Sequence, residues 1–467
     1  MQPSGHGLKR ELRLRDLAFM QIVLIFSLSW TGFTAKQGST HILLWLIAVF
    51  AFYLPLAATV MKLSRSIPEE GGVYQWVKQG VSPFAGYMAG WGVSIYAVLV
   101  FSASGAGTAN ALAWAAGPRG AWMMTSKPFA LALEALICLG AYYVNVRGLH
   151  LAKWLTGATS ILWFGVCAVI LYLLARAWTT EMPLARGALS LQWPTLSLAT
   201  IAVLAKMSVG ALSGFESSAV FAEECRKPEN DVARSVVIAA PFIALMYILG
   251  TAALLAYTPP AQIDIAAAVP QVINAGFGST AFGRLLTVVA VGTLLIATLI
   301  GEVVYIGMIA RLPMVAGWDG LLPAWWSELD TRYRTPAKAI SAVVLSMMAV
   351  AIFGLWGAGN QEAYDLASSA GLVSISIMYM LLFASILFGF RSSPAPPGFG
   401  LRLGALPAFL VVLLSAIFEI VPLSDVTNRL FYATKVTALT CCATGLGAYL
   451  YWRGSRRSKA LAAASAA

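Results

Sequence analysis

The chain has 467 residues, of which 59% are hydrophobic and 11% are charged, with a mean hydropathy of +0.77 and a formal net charge of +11. Soluble globular proteins contain about 25% charged residues, so this composition excludes a soluble globular protein and indicates a membrane protein with many spans. The basic residues are spread over short loops, so the positive charge does not indicate a nucleic-acid partner.

Twelve apolar segments are long enough to cross a bilayer as helices, which takes about 20 residues each. They cover residues 17–37, 42–63, 83–112, 128–146, 152–176, 198–222, 233–257, 283–310, 337–357, 364–389, 403–422 and 430–451. The basic run from Lys9 to Arg15 leads directly into a full-length span without a cleavage site, so we expect no cleaved signal peptide.

The distribution of basic residues between alternate loops predicts the orientation in the membrane. About 22 of the 31 Lys and Arg residues fall on the side that carries both termini. By the positive-inside rule both termini are predicted to be cytoplasmic, in the cytoplasmic (inner) membrane of a cell. An even number of spans is then required, and twelve agrees with it.

Two of these spans contain glycine and polar residues near their centres. The first span contains Ser27–Gly32, and the sixth contains Ser208–Gly210 followed by Ser213–Glu216. A charged residue such as Glu216 at the centre of a span costs roughly 2.5–3.5 kcal/mol. Irregular backbone at this depth is tolerated where it is buried in protein or lines a cavity. The sequence therefore predicts discontinuous helices in spans one and six.

The two irregular stretches lie one five-span block apart, as expected for a transporter site built on inverted repeats. A broken helix offers N–H groups that attract a carboxylate and C=O groups that attract an ammonium group. An amino acid carries both groups on one carbon. Small residues also serve for close helix packing, and this explanation would suffice for either break alone, whereas the matched pair with Glu216 favours a binding site.

Four motifs resemble the amino acid–polyamine–organocation (APC) transporter superfamily, over roughly the first 340 residues. The first loop has Pro68-Glu69-Glu70-Gly71-Gly72-Val73-Tyr74, similar to the Pro-Glu-x-Gly-Gly-x-Tyr segment of that family. The other three motifs are Asn145-Val146-Arg147-Gly148, then Gly214-Phe215-Glu216-Ser217 with residues 223–231, and Arg311 with residues 319–323 and 334–336. Four motifs in the expected order make the resemblance specific.

The resemblance implies an all-α polytopic fold of about 12 transmembrane helices, with a LeuT-like pair of inverted five-helix repeats, discontinuous helices 1 and 6, and two C-terminal helices. The predicted divisions are a cytoplasmic basic N-terminal segment at 1–15, the first repeat at 16–177, the second at 197–390, helices 11 and 12 at 400–452, and a basic, Ala-rich tail at 453–467.

The resemblance also implies substrate-binding residues in the unwound parts of spans one and six. In span one they are Ser29, Trp30, Thr31 and Gly32, whose amides would receive the substrate carboxylate. In span six they are Ser213, Gly214 and Phe215, whose carbonyls would receive the amine, while Glu216 would link the broken helix to its neighbours.

The chain departs from the family pattern at three positions near these breaks. Trp30-Thr31-Gly32 replaces a Gly-small-Gly triplet. Gly210 stands where many members have an aromatic gate, and we expect Trp30 to fill part of that space. Trp163 is the nearest match to a lysine that replaces a sodium ion in some proton-coupled members, so that device is predicted to be absent.

Several charged residues inside or beside the spans are candidates for coupling and gating. Lys206 and Lys36 would make the outer approach electropositive, although a structural ion pair of Lys206 or snorkelling of Lys36 explains them equally. Glu302 is a candidate carrier of a coupling proton, the alternative being an ion pair with Lys206 or Arg311. Glu134 and Glu419 are predicted to be interfacial.

The loop after the second span and the loop after the sixth span carry acidic residues that match the family motifs. We interpret Glu69, Glu70 and Glu224 as part of an inner gate of ion pairs, the alternative being a solvated loop face whose exposed pairs contribute about 0–1 kcal/mol each. The five cysteines and three histidines form no metal-binding or disulfide pattern, so no cofactor or metal is predicted.

The leading hypothesis is an amino acid permease, a secondary transporter driven by a proton gradient or by exchange. Its expected partners are an amino acid or related amine, the lipid bilayer and a coupling proton, with no nucleic acid. A polyamine or cationic amine permease and a non-transporting amine sensor are the alternatives. No catalytic constellation indicates an enzyme. The sequence leaves the substrate, the coupling ion, symport versus antiport and the oligomeric state open.

Overall fold

The computed structural model of the chain describes residues 12–67, 71–221, 225, 227–265, 268–278, 280–315, 321, 323–355, 360–390, 396–420 and 429–466. Helices make up nearly all of these residues, and no strand occurs among them apart from one isolated backbone bridge between Leu12 and Cys225. The predicted all-α fold is confirmed.

Eleven helices occupy the first part of the chain. They are α1 (Leu14–Ile25), α2 (Leu28–Ala35), α3 (His41–Ala48), α4 (Leu54–Ser66), α5 (Val73–Gly80), α6 (Pro83–Phe101), α7 (Ser104–Ala116), α8 (Ala121–Thr125), α9 (Lys127–Arg147), α10 (Leu149–Thr179) and α11 (Pro183–Ala188).

Nine helices follow in the second part. They are α12 (Leu198–Leu212), α13 (Ser217–Val220), α14 (Pro228–Tyr257), α15 (Ala268–Phe277), α16 (Ala281–Val315), α17 (Ala337–Leu355), α18 (Asn360–Phe388), α19 (Phe399–Ile420) and α20 (Arg429–Ala466).

Ten helical segments of the described residues are long and apolar enough to cross a membrane, and they coincide with predicted spans two to eleven. The first predicted span corresponds to α1 and α2, which have only 12 and 8 residues. The twelfth corresponds to the first part of α20. The protein is therefore a multi-pass membrane protein, and its division into two inverted repeats stays a prediction.

The break in the sixth span lies where the sequence predicts it. The α12 helix ends at Leu212, α13 begins at Ser217, and Gly214 between them has φ +124°. This conformation is strained for any residue with a Cβ atom. Glycine is therefore required at the point where the chain turns between the two half-helices.

The break in the first span lies earlier than predicted. Phe26 and Ser27 are extended, with ψ of 100° and 122°. The residues Ser29 to Gly32 are helical and belong to α2. The prediction that these four residues are unwound is therefore wrong. The reason is tertiary, because a tyrosine from another span bonds the Ile25 carbonyl and the Ser27 N–H on either side of Phe26, as described below.

Two further spans are interrupted. A π-helical stretch, Val49–Tyr53, separates α3 from α4. Pro55 follows it and has no N–H to donate to the preceding turn. In the third span, Ser102 and Ala103 separate α6 from α7.

The α14 helix runs beside both main breaks. It packs against α1, α2 and α4, and α12 packs against α2 and α3. The outward faces of α9 and α10 expose large apolar side chains such as Leu136, Trp154 and Ile161, as expected for surfaces in contact with lipid tails. The polar groups that the breaks release are therefore enclosed within the bundle.

Candidate functional site

One tyrosine hydroxyl joins the two broken helices. The Tyr247 hydroxyl lies 2.7 Å from the carbonyl oxygen of Ile25, at the end of α1, and 3.0 Å from that of Ala211, near the end of α12. It also accepts a hydrogen bond from the Ser27 backbone N–H at 3.0 Å. A phenol has one hydrogen to donate, so it satisfies one carbonyl at a time. The other carbonyl keeps capacity for a different donor.

Aromatic rings fix the position of the Tyr247 hydroxyl. Its ring stacks on Trp45 with centroids 4.5 Å apart, and the ring of Phe26 meets it edge-on at 4.9 Å. The Trp45 indole N–H donates to the Thr251 hydroxyl, one turn further along α14. The ring has little freedom to leave the breaks, because all of these neighbours are buried.

A second tyrosine holds the break of the sixth span. The Tyr379 hydroxyl from α18 donates to Glu216 Oε1 at 2.7 Å and accepts the Gly214 N–H at 3.1 Å. Glu216 is buried, and its Oε2 has no hydrogen-bond partner among the described residues. The carboxyl group thus connects the start of α13 to α18, in the position that the resemblance implies for a linking residue.

The indole of Trp30 covers Gly210. A Cβ atom at Gly210 would lie 2.0 Å from Trp30 Cζ2 and 2.3 Å from Cη2. The expectation that Trp30 fills the space left by the absent aromatic of span six is therefore confirmed. The Trp30 ring also contacts Phe33 edge-on. The side of the site toward α2 and α12 is consequently an indole surface.

The other predicted substrate residues are placed in different surroundings. Phe215 is fully buried and stacks on Tyr53 at 4.9 Å. Thr31 is buried, and Ser213 caps α12 with extended backbone. A Cβ at Gly32 would lie 2.9 Å from the Ala268 Cβ, so Gly32 faces the start of α15 and not the break. The side chain of Ser29 lies outside what the structure describes.

Lys206 forms a buried ion pair. Its Nζ lies 3.3 Å from Glu419 Oε2, which also accepts a hydrogen bond from Ser369 at 3.0 Å. Glu419 is only 3% exposed, although it lies one residue before the end of α19. A salt bridge is the better arrangement for both side chains, because either charge alone would be costly at this depth. Lys36 is exposed at the end of α2, as snorkelling requires.

Glu302 is completely buried and lies against Cys138 of α9, which also contacts Glu134. Cys138 Sγ lies 4.0 Å from Glu302 Oε2 and 3.5 Å from Glu134 Oε1. Glu134 is 2% exposed, so it faces neighbouring helices and not solvent. In the described part of the chain, neither carboxyl group has an ion pair. The alternative in which Lys206 pairs with Glu302 is thereby excluded.

The family-like motifs meet one another at the end of the bundle where α1 begins. A Cβ at Gly72 would lie 3.1 Å from the Ala219 Cβ of α13. The Thr335 hydroxyl donates to the Val146 carbonyl, and Asn145 donates to the Val303 carbonyl, so Asn145 joins α9 to α16. The predicted gate residues Glu69, Glu70 and Glu224 lie outside the described residues.

A cavity opens at the same end of the bundle. It lies between α1, α10 and α16, and its polar lining comes from Asp16, Asn145 and Thr156. Phe221, just past α13, closes one side of it. The cavity thus extends from this end of the bundle toward α13, the second half of the sixth span.

Four functional candidates escaped the sequence analysis: Tyr247, Tyr379, Glu134 and Cys138. Both tyrosines lie near the middle of apolar spans, where a hydroxyl needs a partner. Their position in the middle of apolar spans was the sequence signal that could have identified them. This position does not reveal which backbone groups each hydroxyl contacts.

Comparison with known proteins places these features in a family. The model of a family described as amino acid permease matches residues 12–444. The chain is 23% identical to an uncharacterised transporter of Legionella pneumophila over 86% of each chain. It is 24% identical to the branched-chain amino acid permease of Bacillus subtilis over 79% of this chain and 81% of the relative. It is 22% identical to the methylthioribose transporter of Bacillus subtilis, over 82% and 83%.

Proposed function

The chain belongs to the amino acid permease family of the APC superfamily, and we propose that it moves an amino acid across the cytoplasmic membrane by alternating access. The observation that carries this proposal is the Tyr247 hydroxyl shared by both broken helices. It brings the backbone groups of two spans to one point in the interior of the bundle.

The two breaks supply complementary groups for the two ends of an amino acid. The α2 helix begins at the first break, so its first turn presents N–H groups and the positive end of a helix dipole to a carboxylate. The carbonyls of Ile25 and Ala211 end α1 and α12, where they compete for one phenol hydrogen. An ammonium group would satisfy the carbonyl that Tyr247 leaves without a donor.

The substrate side chain is proposed to be neutral and apolar. Trp30 lies over Gly210, and Phe215 and Tyr53 stack beside the second break. The positive charge of Lys206 is matched by Glu419, which removes the main reason to expect an anionic substrate. One relative is named a branched-chain amino acid permease, and this name agrees with an apolar substrate.

The inner pathway is proposed to start at the cavity between α1, α10 and α16. Positive residues predict that this end of the bundle, together with both termini, is cytoplasmic. The Leu12–Cys225 bridge and the Gly72–Ala219 contact lie at this end. Both connect the N-terminal segment and the first-loop motif to the sixth span. Their separation and closure would open and shut the inner side, with Glu69, Glu70 and Glu224 in the same loops.

Transport is proposed to be coupled to a proton, with Glu302 as a carrier. A carboxyl group buried without a cation is costly in its charged form, and binding a proton removes this cost. Exchange of one amino acid for another without net proton movement is the competing mode.

Uptake by proteoliposomes tests the proposed function. Purified protein is reconstituted, an inward proton gradient is imposed, and uptake of labelled leucine or valine is measured, with competition by glutamate and by putrescine. We expect uptake that leucine, isoleucine and valine inhibit, and that does not depend on sodium. Inhibition by putrescine alone would establish the polyamine alternative. Binding without flux would identify a sensor, and no uptake or exchange of any amino acid would refute the proposal.

A further inference from the structure

A pair of carboxyl groups lies within the membrane-spanning part of the bundle, between α7, α9 and α16. Glu134 and Cys138 come from α9, and Glu302 comes from α16. Their exposed fractions are 2%, 1% and 0%. The pair faces the short interruption of the third span, where α7 begins at Ser104. None of these side chains belongs to the two breaks of spans one and six.

The two carboxyl groups have unequal surroundings. Glu134 Oε2 accepts the backbone N–H of Gly105, in the first turn of α7, at 2.7 Å. This N–H and the helix dipole both stabilise a negative charge on Glu134. Glu302 Oε1, in contrast, has no hydrogen-bond partner among the described residues. An oxygen of a fully buried carboxylate that lacks any donor is strongly destabilised.

Close packing holds the pair in this position. A Cβ at Gly105 would lie 2.3 Å from the Ala130 carbonyl oxygen and 2.7 Å from the Glu134 backbone nitrogen. The α7 helix can therefore approach α9 this closely only with glycine at position 105. This close approach is what places the Gly105 N–H on Glu134.

The helices around the pair provide no cation for it. Among the described residues, the titratable side chain that contacts both carboxyl groups is Cys138 of α9. Ser104 of α7 adds a hydroxyl. Lys206 pairs with Glu419, and Arg311 donates to the Gly307 carbonyl and lies over Phe221. No ion pair to either glutamate exists within the described ranges.

Two carboxylates that share a buried site without a cation cannot both be ionised. We propose that Glu134 and Glu302 form a proton-binding site that keeps one proton, carried at rest by Glu302, with Glu134 as the anion. In the described part of the chain no group of three or more His, Cys, Asp or Glu side chains, Glu134, Cys138 and Glu302 included, is arranged to hold a metal ion. A proton is thus the cation that fits the pair.

The Cys138 thiol lies where it can pass the proton between the two acids. Its sulfur accepts from the Glu302 hydroxyl while its S–H donates to Glu134. Transfer breaks the Glu302 O–H bond and the original S–H bond, and forms a new S–H bond and an O–H bond on Glu134. The total charge of the pair does not change. Only the position of the negative charge moves, from α9 to α16.

A charge on Glu302 would change the electrostatic potential at the breaks of spans one and six. Tyr305 follows Glu302 by one helical turn, contacts Tyr96 edge-on at 5.5 Å, and interacts electrostatically with Glu216. Transfer of the proton from Glu302 to Glu134 would place the negative charge on α16, where it would disfavour a charge on Glu216 and weaken the bond of Glu216 to Tyr379. This role in coupling rests on the proposed function, whereas the shared proton does not.

Infrared difference spectroscopy tests the proton directly, without any transport measurement. The C=O stretch of a protonated carboxyl group is recorded for the full-length protein at neutral pH, in H2O and D2O. We expect Glu302→Gln to remove one protonated carboxyl group per chain, and Glu134→Gln to leave it in place with a shifted band. Cys138→Ala should also shift the band without removing it. Glu419→Gln, at an ion-paired carboxylate, is the matched control and should leave the band unchanged.

The outcomes separate this inference from the proposed function. A spectrum that is the same in wild type, Glu302→Gln and Glu134→Gln overturns the proton site, even if the protein transports amino acids. Loss of the band in Glu302→Gln together with its shift in Glu134→Gln supports the site, even if no substrate is transported. Cys138→Ser keeps a hydrogen donor between the two carboxyl groups. The pH dependence of its carboxyl band should therefore equal that of the wild type. Its failure to do so would overturn the thiol's role.

Discussion

The indole ring of Trp30 lies directly over the Cα atom of Gly210, so close that any side chain at position 210 would overlap it. The position of the Trp30 side chain in span one thus depends on the absence of a side chain at position 210 in span six. The aromatic surface beside Gly210 of span six therefore comes from span one.

Gly210→Ala should therefore disturb the site although alanine favours helices. Its Cβ would lie 2.0 Å from Trp30 Cζ2, and overpacking of this kind costs about 1–3 kcal/mol. We expect a fall in leucine uptake of about tenfold or more and a lower thermal unfolding midpoint. Adding Trp30→Ala should recover part of the stability. Gly165→Ala in α10 is the control, because no atom lies within 4 Å of a Cβ at that position. Equal uptake and equal unfolding midpoints of the two variants would contradict the packing of Trp30 on Gly210.

Tyr247→Phe removes the hydroxyl that the two breaks share and leaves its ring in place. The Ser27 N–H and the two carbonyls lose their partner, and a buried polar group without a partner costs about 1–3 kcal/mol. We expect uptake to fall about tenfold or more, with a smaller change in stability. Tyr257→Phe, which loses a bond to the Leu173 carbonyl at the edge of the bundle, should transport normally. Wild-type uptake by Tyr247→Phe would show that the hydroxyl is dispensable.

Lys206 and Glu419 should behave as a structural pair. Removing one partner of a buried ion pair costs about 3–5 kcal/mol, and we expect the lower end because the Lys206 side chain is 15% exposed. Lys206→Met and Glu419→Gln should each lower the unfolding midpoint, and the double variant should recover most of the loss. If Lys206→Met changed inhibition by glutamate at unchanged stability, Lys206 would instead select substrates from the outer approach.

Glu302→Gln should remove the dependence of transport on the proton gradient. A glutamine cannot release a proton, so accumulation of leucine should be the same with and without an inward gradient, while exchange of leucine across the membrane continues. Both are measured in the same proteoliposomes. Glu181→Gln, at an exposed position, should keep the wild-type response. A response to the gradient that survives in Glu302→Gln would place the coupling proton elsewhere.

Much of the fold, and part of the candidate site, was predictable from the sequence. Hydropathy predicts the positions of spans two to eleven, because length and composition alone decide whether a helix can cross a membrane. The break in span six was equally predictable, because Gly214 is the residue that tolerates φ +124° at that point. The pairing of Trp30 with Gly210 followed from two departures at matched positions.

The partners of buried polar groups depended on tertiary structure. The sequence places Glu134 and Glu419 near span ends, and only packing shows that each is buried against another helix. The break of span one lies at Phe26 and Ser27 because Tyr247, more than 200 residues away, bonds the Ile25 carbonyl and the Ser27 N–H. The apolar periodicity of the sequence indicates how much surface a helix buries. A hydrogen bond or an ion pair, in contrast, requires a partner atom at about 3 Å. Only the packing of distant helices decides which side chain supplies that partner.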